Sequence, residues 1–276
     1  MHISARRVRG STALAAVFAT LTGAAPASAD PLAGAHYELG RGLQLPAMNL
    51  IFSGYGALRA SHLEGQDTRL DLRDLSLFTI WQPSPRWQVF SEVEAESLFV
   101  VDGRGLEASD IEVAVERLYV DYAASDTLTL RAGRYLTPFG RWNLVHADPL
   151  VWTVSRPLVT QLAIPDHGSG AALLGSVSLG ADTLDYTLYV DDSADLDPVN
   201  GEADFEDFDA DGLSNDFRHA GGGQVRYHFF GERAELAASY ASYRFADLPG
   251  RMHAAGLDGM LRWRRLELSG EFAWRD

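Results

Sequence analysis

The stretch Trp87–Leu98 limits the fold of this chain more than any other. Trp87, Val89, Val93 and Ala95 alternate with Gln88, Phe90, Glu92, Glu94 and Glu96. A period of two belongs to an extended strand, whose successive side chains point to opposite faces of a sheet. Three glutamates in a row on one face cannot line a dry core, because an unpaired buried charge is prohibitively costly. That face must meet bulk water on a one-sided sheet, or a water-filled lumen.

The pattern recurs. Leu118, Val120 and Tyr122 oppose Arg117, Tyr119 and Asp121, and Leu128, Leu130 and Ala132 oppose Thr129 and Arg131. Leu184, Leu188 and Val190 oppose Asp185 and Tyr189; Leu236 and Tyr240 oppose Glu235 and Ser239. Leu257, Leu261 and Trp263 oppose Asp258 and Arg262, and Leu266, Leu268 and Phe272 oppose Glu267 and Glu271. Counting such runs from Leu50 onward gives about 11 strands, with no sustained helical period, which is an all-β reading. In the strand ending at Trp81, Leu70 and Leu72 sit on the opposite parity from Leu75, Leu77 and Thr79, so a bulge is expected near Arg73 and Asp74.

The connections alternate in length. Those near 82–86, 123–126, 180–182, 231–233 and 263–265 are short, and those near 61–67, 99–110, 137–168, 191–217 and 245–252 are longer. Short turns at one end and long loops at the other are the pattern of an outer-membrane β-barrel. Trp81 and Trp87 flank one short turn, as an interfacial aromatic girdle would.

Residues 1–29 read as an export signal: a basic start with Arg6, Arg7 and Arg9, an apolar run of small residues, and an Ala27-Ser28-Ala29 cleavage site. The Arg6-Arg7 pair lacks the rest of a twin-arginine motif, which favours ordinary secretion. Removing this segment takes three arginines and no acid, leaving 20 arginines against 38 acidic residues and a net charge of −18. The chain has no lysine and no cysteine. A strongly acidic exported chain is a poor nucleic-acid binder, because phosphate neutralisation needs a cationic face. Beyond the signal no apolar run is long enough for a transmembrane helix.

The segment from Arg131 to Gly170 has neither period. It carries Tyr135, Phe139, Trp142, Trp152 and four prolines, a composition that packs and holds a shape. A loop folded into the mouth or lumen of a barrel is expected, with Arg134, Arg141, Asp148 and Arg156 at a constriction. The lumen lining is expected from Glu92, Glu94, Glu96, Arg117, Asp121 and Arg131. Within the segment, Gly133-Arg134-Tyr135-Leu136-Thr137-Pro138-Phe139-Gly140-Arg141-Trp142-Asn143 resembles the G-x-x-x-T/S-P-F-G-x-x-N run of porin-like outer-membrane proteins related to the phosphate-selective (O/P-type) porins of Gram-negative bacteria. The resemblance implies a passive diffusion barrel for small hydrophilic solutes or ions, set among outer-membrane lipid and lipopolysaccharide, and it allows a homotrimer. One departure matters: phosphate selectivity implies basic pore walls, whereas here acids outnumber arginines on the inward faces.

Asp207, Asp209, Asp211 and Asn215, with Gly212, match the opening of a calcium loop, but Arg218 stands where the bidentate glutamate belongs. Ca²⁺ binding and a solvated acidic outer loop both remain open. His146, Asp148 and Ser155 lie close in sequence, but no nucleophile elbow surrounds Ser155, so no enzyme activity is expected.

The resulting expectation is an antiparallel transmembrane β-barrel in the outer membrane. It has a periplasmic lead-in at 30–48 and a barrel portion at 49–276, with the long loop at 137–168 and the acidic loop at 191–217. Because an odd number of strands cannot close with both ends on one side, C-terminal strands are expected to be missing. The alternative reading is a structural or surface-binding barrel that engages ions, lipopolysaccharide or a protein partner.

Overall fold

The computed structural model describes residues 30–62, 68–103, 105–107, 112–145, 147–151, 159, 164–191, 217–245 and 250–276. All described strands belong to one antiparallel sheet of 14 strands. They are β1 (His36–Glu38), β2 (Gly42–Leu45), β3 (Leu50–Ser61), β4 (Arg69–Ser84), β5 (Trp87–Asp102), β6 (Gly105–Glu107) and β7 (Glu112–Ser125). They continue with β8 (Leu128–Leu136), β9 (His167–Leu179), β10 (Asp182–Asp191), β11 (Phe217–Phe229), β12 (Ala234–Phe245), β13 (Met252–Trp263) and β14 (Leu266–Arg275). Each pairs with its neighbours in chain order, except that β6 forms a side hairpin on β5 and β5 pairs onward with β7. β1 and β14 are the two edges, and the sheet is not closed.

The principal strands are those read from alternation, and the expected bulge is present. Arg73 is the extra residue, skipped where β4 pairs with β3 and with β5. The structure adds to the sequence reading in two places and corrects it in a third. Residues 30–48, expected as a periplasmic lead-in, hold β1 and β2, a hairpin that extends the edge beside β3. Strands of three and four residues are too short to display a period, and positive-φ Gly40 and Gly42 make the turn between them. The β6 hairpin was equally invisible. Finally, β9 begins at His167 rather than Ala171, which shortens the long loop to 137–166. Gly168, Ser169 and Gly170 have little β propensity, and it is their register against Tyr135, Arg134 and Gly133 that makes them strand.

The two faces of the sheet are inverted relative to a soluble protein. Leu236 is 61 % exposed, while its neighbour Glu235 is 7 % exposed. The same contrast separates Leu77 from Ser76, Val93 from Glu92 and Leu257 from Asp258. Polar groups are normally outside and large apolar groups inside. Here the apolar face points out and the polar face is covered. At the short-turn end the outer rim is aromatic: Trp87 and Tyr122 lie 4.7 Å apart, Phe229 and Phe230 4.9 Å apart, and Trp263 is exposed. Among the described residues no helix is long and apolar enough to cross a membrane.

Candidate functional site

The inner face divides into two neighbouring charged regions. On β5, β7 and β8, Glu92 is fully buried and its Oε2 accepts from Nε of Arg117. Arg131 donates two 2.8 Å hydrogen bonds to the Asp121 carboxylate. Both pairs are cross-strand neighbours fixed by the register of β5 with β7 and of β7 with β8. The guanidinium groups also sit over rings, Arg117 at 4.7 Å from Phe90 and Arg131 at 3.7 Å from Tyr119, and those two rings stack 5.1 Å apart. Carboxylates and ring faces thus hold each arginine from two sides. Glu94 is buried on the same face. Glu96 shares this register, opposite Asp74 and Glu112, but its side chain lies outside the described residues.

The second region receives the long loop. Beyond Leu136 the chain turns inward and lays Phe139–Asn143 on the inner face of β11–β14. The Gly140 N–H donates to Ser239 Oγ at 3.1 Å, and its carbonyl accepts from Gln224 Nε2 at 2.8 Å and from Arg226 at 3.1 Å. The backbone N–H groups of Arg141 and Trp142 both donate to Glu271 Oε2, at 2.8 and 3.1 Å. The Arg141 guanidinium pairs with Glu235. Arg226 is the hub beneath the loop, 2.8 Å from both Glu235 Oε1 and Asp258 Oδ1. The buried backbone of a loop must find partners, and this inner wall supplies them.

The resembling motif acquires a physical meaning here. Gly140 has φ +64°, and a Cβ there would overlap the Glu271 carboxylate. Asn143 is fully buried, and its Nδ2 donates to the carbonyls of Thr137 at 2.8 Å and Asp166 at 3.0 Å. With Thr137 N–H donating to the Asp166 carbonyl at 2.9 Å, it ties the two ends of the loop together. Phe139 and Ile164 pack among Tyr135, Tyr189 and Tyr243 above a floor of Ala172, Ala220, Ala241 and Ala254. The sequence reading missed this floor. Its signal is the run of alanines and glycines at inward positions of β11–β13, including Gly256, where a Cβ would meet the Phe139 ring. The 3₁₀ turn Asp148–Leu150 lies beside β3, so the loop reaches from the late strands to the early ones.

Of the residues expected at a constriction, Arg141 stands on the inner wall as described. Arg134 is half-buried, at the β8 register position shared with Leu130 and Ala132 rather than with Arg131. The backbone of Asp148 is in the 3₁₀ turn, but its side chain lies outside the described residues, as does all of Arg156. Asp207, Asp209, Asp211 and Asn215 also lie outside the described residues. Among the described residues, no group of three or more His, Asp or Glu is placed to hold a metal ion.

No family model matches the chain. It is 30 % identical over 204 residues to an uncharacterized protein of Aquifex aeolicus, covering 72 % of this chain and 42 % of that protein, so it spans less than half of this relative's length. A loop L8 deletion form of OmpT, an outer membrane protein of Vibrio cholerae, aligns over 82 % of each chain at 12 % identity and a TM-score of 0.35.

Proposed function

We propose that this chain forms the wall of a porin-like outer-membrane channel through which small hydrophilic solutes or ions diffuse. The observation that carries the reading is the inversion of the sheet. Leu236, Leu257, Leu268 and Phe272 are exposed on the outer face, while Glu92, Glu235 and Asp258 are buried on the inner one. In water this outer face would be an aggregation liability, whereas in lipid it is the required surface, with a polar lumen behind it. The main strands, from the 9 residues of β8 to the 16 of β4 and β5, are long enough for a tilted strand to cross a bilayer, which takes about 9–11 residues. The resemblance of the Thr137–Asn143 run to porin-like proteins points the same way.

The inward loop narrows the passage on this reading, as constriction loops do. The deciding experiment is planar-bilayer recording of the full-length protein. Stable ohmic steps are the expected result. A protein that folds and inserts but never conducts would overturn the channel and leave a structural or surface-binding barrel in its place.

A further inference from the structure

We propose that the passage prefers cations: inorganic cations and small protonated amines cross it more readily than anions of the same size. This rests on the channel reading above and departs from the phosphate preference of the family that the loop motif resembles.

The argument starts from which charges face inward. On β4 and β5 the inner face carries Asp74, Glu92 and Glu94, all buried on that side. On β3, β7 and β8 the same face adds Asp121, Arg59, Arg117 and Arg131, with Glu92 paired to Arg117 and Asp121 to Arg131. On β10–β14 the inner face carries Asp185, Asp191, Glu235, Asp258, Glu267 and Glu271, against Arg226, Arg262, Arg275 and the loop's Arg141, with His228 bonded to Asp185. Acids outnumber arginines in both regions, and no lysine exists anywhere in the chain to reverse the balance.

Geometry adds to the count. An anion crossing a basic pore needs guanidinium or ammonium donors free to turn toward it. The inner arginines are instead committed. Arg131 spends Nε and Nη2 on Asp121 and lies flat on Tyr119. Arg226 is shared by Glu235, Asp258 and the Gly140 carbonyl, and Arg262 is held by Glu267 at 2.7 Å. Arg117 is held between Glu92 and the Phe90 ring. Displacing Arg117, Arg131 or Arg226 to bind a passing anion would leave a carboxylate uncompensated in a partly desolvated site, which costs more than the new contact returns. A cation needs no such exchange, because a carboxylate offers about four lone-pair sites and a bidentate arginine takes two of them. A wall of net negative charge also concentrates cations within a Debye length, about 8 Å at physiological salt, which is comparable to the width of a narrow passage.

The test uses the full-length protein in a planar bilayer separating two potassium chloride concentrations. The sign of the reversal potential reports the permeability ratio of potassium to chloride. A ratio above unity is expected. Glu94→Gln and Glu271→Gln, which keep side-chain shape and an acceptor oxygen, should move the ratio toward unity while the channel still opens. Arg262→Gln should move it away from unity. Heat-dependent gel mobility shows that each variant has folded before it is recorded. A wild-type ratio below unity overturns the cation preference and leaves the channel standing. A ratio above unity that neither glutamate variant shifts overturns the assignment of the preference to these carboxylates. A silent bilayer overturns the channel reading and this inference with it.

Discussion

At the scale of single residues, the inverted faces make a sharp distinction. Leu236 is 61 % exposed, and in a soluble protein its replacement by arginine would change stability by no more than about 0.5 kcal/mol. On the lipid face of a barrel the same change costs about 2–4 kcal/mol near the midplane. Leu236→Arg should therefore lower the yield of folded protein in lipid vesicles, measured by heat-dependent gel mobility. Leu266→Arg, close to the aromatic rim at the short-turn end, should be tolerated better. Equal tolerance at both positions would place the outer face in water. The residue-level pattern was legible because strand alternation needs only neighbours in sequence. The partners were not. That Glu271 takes two backbone N–H groups from Arg141 and Trp142 follows from a loop meeting a strand 130 residues further along the chain, and no local period encodes it.

At the scale of elements, the loop is the piece whose removal is most informative. Its first residues are fastened to the wall by backbone hydrogen bonds from Gly140, Arg141 and Trp142, and its two ends are tied by Asn143. On the channel reading, excising residues 144–157 should raise single-channel conductance, because chain that would narrow the passage is gone while Asn143 still ties the ends of β8 and β9. Unchanged conductance would place this segment outside the ion path. The composition of the loop signalled that it packs, since Phe139, Trp142 and Ile164 need a surface. It did not say which surface. That information lay in the small inward residues Ala220, Ala241, Ala254 and Gly256, which read in isolation as weak strand positions. Elements of three or four residues, β1, β2 and β6, were beyond reach for a different reason: pairing with a longer neighbour makes them strands, and their own sequence shows no period.

At the scale of the whole molecule, the sheet makes sense only with a medium on each side. The outer face is apolar along its middle and aromatic at the short-turn rim; the inner face is polar and self-paired. Buried polar groups that satisfy one another rigidify a wall, but they supply little of the apolar burial that stabilises a soluble domain. On the channel reading, lipid does that on the outside. The chain lends itself to a direct check of this arrangement, because Trp87, Trp263 and Trp274 are all exposed on the outer face. Trp87 and Trp263 adjoin short turns, where indole rings favour the membrane interface. Variants that keep Trp263 as their sole tryptophan, folded into vesicles, should be quenched strongly by lipids brominated near the glycerol end of the acyl chain. Quenching should be weaker with bromine at the chain terminus, and iodide in the buffer should have little effect. A tryptophan in the same position on a soluble sheet would respond in the opposite order, with iodide quenching efficiently and the brominated lipids not at all. Placing the sole tryptophan at position 236 (Leu236→Trp) should move the maximum toward the chain terminus, since that residue lies further along β12 from the short turn than Trp263 lies along β13 from its own. If both positions report the same depth, the strands do not cross the bilayer and the outer face must be covered in another way.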